Sequence, residues 1–174
     1  MTGKKEIPID PVWYPFTQMQ EFTDHSPLSV VAAQGCWLED EQGKRYLDGV
    51  SSLWANVHGH RHPVIDKAIR EQMERVSHST MLGLSHPGGI ELARQLVQRA
   101  PEGLSRIFYS DSGATSVEIA LKMAYQYWQL LGETQRYKFL KLSEAYHGDT
   151  IGAISLGGMD LFHDGADTHN RWPY

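Results

Sequence analysis

At 174 residues, with 41% apolar side chains and a formal net charge of −5, the chain has the size of one domain or of a piece of a larger one. That apolar fraction argues against disorder throughout and predicts a packed core. The acidic balance gives no electrostatic basis for nucleic-acid binding, and no apolar run approaches the roughly 20 residues needed to cross a bilayer.

In chain order, residues 1–11 are polar with two prolines and read as a loose arm without the apolar stretch of a secretory signal. Residues 13–16 are aromatic-rich, broken by Pro15, and expected to be extended. Residues 30–33 and 36–39 are strand-like, Glu41-Gln42-Gly43-Lys44 is a turn, and 45–47 a returning strand, which together predict a hairpin. The lone cysteine, Cys36, has no internal partner for a disulfide, so a reducing cytoplasm is the expected compartment. Its apolar neighbours make it read as a small core residue.

Pro63 opens a helix whose apolar face is Val64, Ile65, Ala68, Ile69, Met73 and Val76. A second helix is expected over 89–100, ending before Pro101. Ile107-Phe108-Tyr109 reads as a buried strand. A third helix over 114–131 carries a buried stripe of Val117, Ala120, Leu121, Ala124, Tyr125 and Trp128, with Gly132 as its C-cap. Residues 137–142 read as the next strand. Strand, helix and strand make a β-α-β unit with two parallel strands, so the fold class is α/β with a small antiparallel hairpin in front.

The segment Ser110-Asp111-Ser112-Gly113-Ala114 lies where a strand gives way to the third helix. The first turn of a helix offers unpaired N–H groups and a positive dipole end, which suit a phosphate. Gly113 lacks a Cβ and lets an anion approach the backbone; Ser112 and Thr115 add hydroxyls. The same residues also read as an ordinary helix N-cap, and from pattern alone the two readings stand level. Neither a G-x-G-x-x-G nor a G-K-[ST] motif is present.

Several stretches taken together carry a family resemblance. They are Trp13-Tyr14-Pro15-Phe16-Thr17-Gln18-Met19, Asp48-Gly49-Val50-Ser51-Ser52-Leu53-Trp54 and His58-Gly59-His60-Arg61-His62-Pro63. The 110–114 segment with Glu118 and Lys122, and Tyr146-His147-Gly148-Asp149-Thr150, complete the set. In this order and spacing the chain, over about residues 12–163, resembles the class III pyridoxal-phosphate aminotransferases. The tryptophan-led opening and the S-S-x-W segment resemble the branch that acts in biotin biosynthesis. The G-H-x-H-P and Y-H-G segments are shared across the class.

The resemblance implies the N-terminal part of the fold type I transferase fold. Residues 1–62 would form the arm and hairpin of a small domain, and 63–174 an incomplete cofactor-binding domain. It implies pyridoxal 5′-phosphate as cofactor, held by the backbone N–H groups of Gly113 and Ala114 with Ser112 nearby, and Tyr146 against the pyridine ring. Phe16, Leu53, Trp54 and Tyr146 would line the substrate pocket. The implied reaction converts 8-amino-7-oxononanoate to 7,8-diaminononanoate, in a cytoplasmic homodimer. Many members carry tyrosine where Phe16 stands and a second tryptophan where Leu53 stands. Those two departures resemble members that use lysine as amino donor in place of S-adenosylmethionine.

Transamination needs a lysine that forms a Schiff base and an acid at the pyridine nitrogen. The resemblance places both C-terminal to this stretch. None of the seven lysines at 4, 5, 44, 67, 122, 138 and 141 matches that position, so no catalytic residue is assigned here. The arginine for the substrate carboxylate is absent as well, and residues 164–174 leave the family pattern. The 174 residues are therefore expected not to transaminate alone, as a fragment, frameshift or split-gene product. The alternatives are a non-catalytic fragment or a subunit needing a partner chain, and another class III ω-aminotransferase; the tryptophan-rich opening argues against the last.

Other residues read as structural. His58, His60 and His62 alternate, which on a strand would suggest a metal site, but Gly59 and Pro63 make the segment a loop. Glu118 and Lys122 read as a solvated i,i+4 pair. Asp149 and Thr150 are expected to cap the helix after Gly148. Trp128 and Tyr125 read as core or subunit interface.

Overall fold

The computed structural model describes residues 11–22 and 27–157. Most of the expected N-terminal arm and all of the 164–174 tail lie outside these residues. The chain divides into two units, Met1–Leu84 and Ser85–Tyr174.

In the first unit, a short helix α1 (Met19–Phe22) precedes a three-stranded antiparallel sheet of β1 (Val30–Gln34), β2 (Trp37–Asp40) and β3 (Arg45–Leu47), in the order β1-β2-β3. The expected hairpin is present. Asp40 fixes its second turn: its carboxylate accepts from the N–H groups of Gln42 and Lys44 and from the Tyr46 hydroxyl, each at 2.9 Å. Gly43 supplies the positive φ of +77° that this turn requires. Cys36 is exposed at the first hairpin turn, beyond the last β1 residue, and is not a core residue as its apolar neighbours suggested. The chain meets this tip through backbone bonds of Asp48 and His60, which leave the Cys36 side chain uncovered. Helical segments α2 (Ser51–Trp54) and α3 (Pro63–Met73) follow.

The second unit holds α4 (Pro87–Val97), α5 (Gly113–Leu130) and α6 (Ile151–Leu156). All three helices expected from periodicity and proline placement are found. Helix α4 is capped by His86, whose Nδ1 accepts from Gly89 N–H at 3.1 Å. Gly132, at φ +80°, follows the C-cap of α5 as expected.

The two strands of the expected β-α-β unit are not assigned: 107–109 and 137–142 have no ladder partner among the described residues. Consecutive parallel strands need not be sheet neighbours, and an extended segment becomes a strand only when another pairs with it.

The expected packed core and buried helix stripes are also not formed within these residues. Ala153 is the one buried apolar side chain among the core residues described. Neither α3 nor α5 buries a residue, and Val64, Ile69 and Met73 are all more than half exposed. Apolar content permits a core, but a helix stripe is buried only against a second layer. No described helix is long and apolar enough to cross a membrane.

Candidate functional site

The candidate residues fall into two groups, one in each unit. In the first unit Leu53 and Trp54 sit on α2, whose backbone is left-handed. Ser51, Ser52, Leu53 and Trp54 have φ of 52°, 47°, 57° and 70°. With ψ of 53° and 62°, Ser52 and Leu53 lie close to the ideal left-handed helix. Each non-glycine residue there costs about 1–2 kcal/mol. Phe16, in the turn after Pro15, is also left-handed at φ 51°, and the Thr17 hydroxyl donates to Pro15 O at 2.8 Å beside it. Phe16, Leu53 and Trp54 are 76%, 71% and 73% exposed. Each of these three side chains is thus held out on strained backbone, a state found preferentially at functional sites.

Asp48 anchors the left-handed turn. Its Oδ1 accepts from Ser52 N–H and its Oδ2 from the Ser52 hydroxyl, both at 2.8 Å. His60 Nε2 lies 2.7 Å from the same Oδ2. A carboxylate only accepts, so Nε2 carries the proton. The Ser52 N–H, then the imidazole and the Ser52 hydroxyl, hold the Asp48 carboxyl below its ordinary range. His60, read from sequence as a structural loop residue, has that role. The His58 and His62 rings meet edge-on at 6.0 Å.

In the second unit the helix-entry segment is a complete capping box. Ser112 Oγ accepts from Thr115 N–H at 3.2 Å, and Thr115 Oγ1 accepts from Ser112 N–H at 3.1 Å. Thr115 Oγ1 also donates to Asp111 at 2.6 Å. That bond, with a backbone N–H and the Ser110 hydroxyl, holds the Asp111 carboxyl below its ordinary range. The hydroxyls of Ser112 and Thr115, expected to face an anion, are thus used in capping. What remains is backbone: among the described residues no acceptor takes the N–H of Gly113 or Ala114. A Cβ built on Gly113 meets no atom within 4 Å.

Tyr146 is brought to this helix end by its own segment. Gly148, at φ +122°, packs so closely on Ala114 that an added Cβ would lie 2.4 Å from the Ala114 Cβ. The Tyr146 hydroxyl donates to Asp149 Oδ2 at 2.7 Å, which raises the phenol above its ordinary value. Asp149 is therefore Tyr146's partner and not the helix cap expected of it. Thr150 makes no side-chain cap bond either. Glu118 takes that place, its Oε1 accepting from Gly152 N–H at 2.8 Å in the first turn of α6, and not acting as a surface partner of Lys122. At the other end of α6, Lys141 Nζ donates to the carbonyls of Gly157 at 2.6 Å and Ser155 at 3.3 Å.

Sequence reading missed Asp48, Asp149, Glu118 and Lys141. The Tyr146-x-x-Asp149 spacing was a usable signal. The partners of Glu118 and Lys141, 34 and up to 16 residues away, left none.

Two amide donors on the first turn of an 18-residue helix, with the segment that carries Tyr146 packed against Ala114 through Gly148, suit a phosphate ester. The comparisons with known proteins agree with that chemistry. The model of the class-III aminotransferases matches residues 19–169, and the chain belongs to this family. Its described part is the N-terminal part of the fold type I, α/β transferase fold.

More particularly, the chain is 58% identical over 154 residues to adenosylmethionine-8-amino-7-oxononanoate aminotransferase of Nitratidesulfovibrio vulgaris, covering 87% of this chain and 28% of that protein. The crystal structure of the enzyme of that name from Methanocaldococcus jannaschii superposes with a TM-score of 0.84 at 46% identity, over 88% of this chain and 35% of that one. A PLP-bound amine transaminase from an uncultivated Pseudomonas species gives a TM-score of 0.81 at 33% identity, over 95% and 37%. The chain thus spans about a third of the length of its relatives, at their N-terminal portion.

Proposed function

We propose that this chain is the N-terminal portion of a pyridoxal-phosphate transaminase that converts 8-amino-7-oxononanoate to 7,8-diaminononanoate. When bound, the cofactor supplies an electron sink through which an amino group passes from donor to keto acceptor. The observation that carries the reading is the pair of free amides at Gly113 and Ala114, against which Gly148 packs the segment of Tyr146. These amides bind the phosphate, and the Ser112 capping box holds the helix end that presents them. Tyr146 lies against the ring, its hydroxyl tethered by Asp149 so that the aromatic face keeps one orientation. Phe16, Leu53 and Trp54 line the wall for the apolar arm of the keto substrate and exclude water from it.

In that enzyme residues 1–62 belong to the small N-terminal segment and 63–174 to the cofactor-binding domain. We place the enzyme in the cytoplasm as a homodimer. The Schiff-base lysine belongs to the rest of the enzyme: none of the seven lysines here stands at the position the family uses, and Lys44 and Lys141 are engaged over the Tyr46 ring and at the end of α6.

Phe16 and Leu53 favour lysine as amino donor. A hydroxyl at the first position and a second indole at the other would offer a polar edge and a flat wall that these residues lack. Activity of the full-length enzyme with S-adenosylmethionine and lysine, each with 8-amino-7-oxononanoate, tests donor and substrate together. Turnover with lysine is the expected result, and turnover with S-adenosylmethionine alone refutes the donor assignment. The second reading, an ω-amine transaminase, is supported by the amine transaminase likeness at 33% identity. The first is preferred on 58% and 46%.

A further inference from the structure

We propose that Asp48 and His60 are positioning residues of the substrate wall: their hydrogen-bonded pair selects the left-handed turn at Ser51–Trp54 and so sets the direction in which Leu53 and Trp54 leave the backbone. The role of the wall rests on the transaminase reading; the hand of the turn does not.

Glycine, and at times Asn or Asp, enters the left-handed region as a single residue, but runs of other L-residues do not. A run of four non-glycine residues therefore has to be over-determined by its surroundings. The turn's own backbone bonds, Trp54 N–H to Val50 O at 2.8 Å and Ala55 N–H to Ser51 O at 2.9 Å, do not choose a hand. A right-handed turn closes the same pairs. The bonds that can choose are those from outside the turn. Both oxygens of Asp48 are spent on Ser52, one on its N–H and one on its hydroxyl. His60 Nε2 holds Oδ2 at 2.7 Å and leaves the carboxylate side chain only 4% exposed.

Both partners are tied to one rigid object, the hairpin tip. Asp48 N–H donates to Cys36 O at 2.8 Å. His60 exchanges two backbone bonds with Gly35, at 2.7 and 3.0 Å. Gly59, at φ +79°, lets this happen, because a Cβ there would sit 3.0 Å from Gly35 O. Two adjacent residues of the tip thus fix the acid and the imidazole, and these fix Ser52. A turn of the opposite hand would send the Cα–Cβ bonds of residues 53 and 54 in other directions.

The test uses the full-length holoenzyme of which this chain is the N-terminal portion, with Asp48→Ala, Asp48→Asn, His60→Gln and the double variant Asp48→Ala/Ser52→Gly. Torsions at 51–54 are read by crystallography. KM for the keto substrate, kcat and pyridoxal-phosphate affinity are read in parallel. Asp48→Ala is expected to lose the positive φ values and to raise KM about tenfold or more, with cofactor affinity unchanged. Ser52→Gly, which enters the left-handed region without steric cost, is expected to recover both the turn and most of the KM. Asp48→Asn and His60→Gln, which keep the fold-bearing shape, give smaller shifts in the same direction. An unaltered left-handed turn in Asp48→Ala, or in Asp48→Asn if the alanine variant does not fold, overturns the proposal. So does a loss of cofactor affinity that parallels the rise in KM. If the full-length enzyme carrying this chain as its N-terminal portion shows neither cofactor binding nor turnover, the transaminase reading fails, and the torsions alone still decide the hand of the turn.

Discussion

Gly148 and Gly152 show how little room the Tyr146 segment leaves. A methyl at 148 collides with the Cβ and Cα of Ala114, and the backbone there is left-handed. Gly148→Ala should cost about 2–3 kcal/mol in urea unfolding. The nearest atoms to a methyl at 152 are those of the Glu118 carboxylate, the far end of a flexible side chain. Gly152→Ala should therefore cost less, about 1 kcal/mol for the weakened capping bond. Equal costs would contradict the contacts described. Asp48 carries the pH prediction. Its folded pKa lies below the unfolded one, so its stabilising contribution is fully present above the unfolded value of about 3.9. It is lost as pH falls through the folded value. Carboxyl NMR titration should find the Asp48 midpoint below that of an ordinary aspartate; a midpoint at or above it contradicts the Ser52 and His60 bonds. None of these residues was legible alone. Asp48 read as part of a motif and Glu118 as a surface charge, because their partners are distant in sequence or set by backbone hand.

At the scale of elements, helix α5 was legible almost to the residue. Ser112 and Gly132 punctuate it, and the N-cap reading that stood level with the anion reading is right for the side chains. The anion reading survives only for the two backbone amides. Ser112→Ala should thus lower stability by about 1 kcal/mol while changing cofactor affinity little. A loss of affinity without loss of stability, read by thermal melting and cofactor titration, would return the Ser112 hydroxyl to the phosphate. The hairpin was legible because alternation and Gly43 are local signals. The left-handed α2 was not, since propensity favours the opposite hand and only Asp48 and His60 select it. Segments 107–109 and 137–142 have strand composition, but composition does not supply a ladder partner.

Across the whole molecule, the apolar surface is the main physical fact. Leu140 is 100% exposed and Leu142 78%, with Phe108 at 65%. These are strand-like residues with unpaired backbone, an arrangement that promotes association. The purified 174-residue chain should self-associate with rising concentration in sedimentation velocity; a single monomeric species throughout would contradict this. The sequence carried the family because its motifs are local. The core was not legible, because a stripe on one element says nothing about what covers it. The central claim is that the Gly113 and Ala114 amides hold the cofactor phosphate. Proline at position 113 removes one amide hydrogen while the helix survives, since the first helical position tolerates proline and Ser112 already has the extended backbone that precedes one. Pyridoxal phosphate titrated against the full-length enzyme, Gly113→Ala and Gly113→Pro should bind the proline variant about 10–100-fold more weakly than the alanine variant, as expected for a lost hydrogen bond to a charged group, with Gly113→Ala showing the effect of the added Cβ alone. Equal affinity for all three would contradict the account.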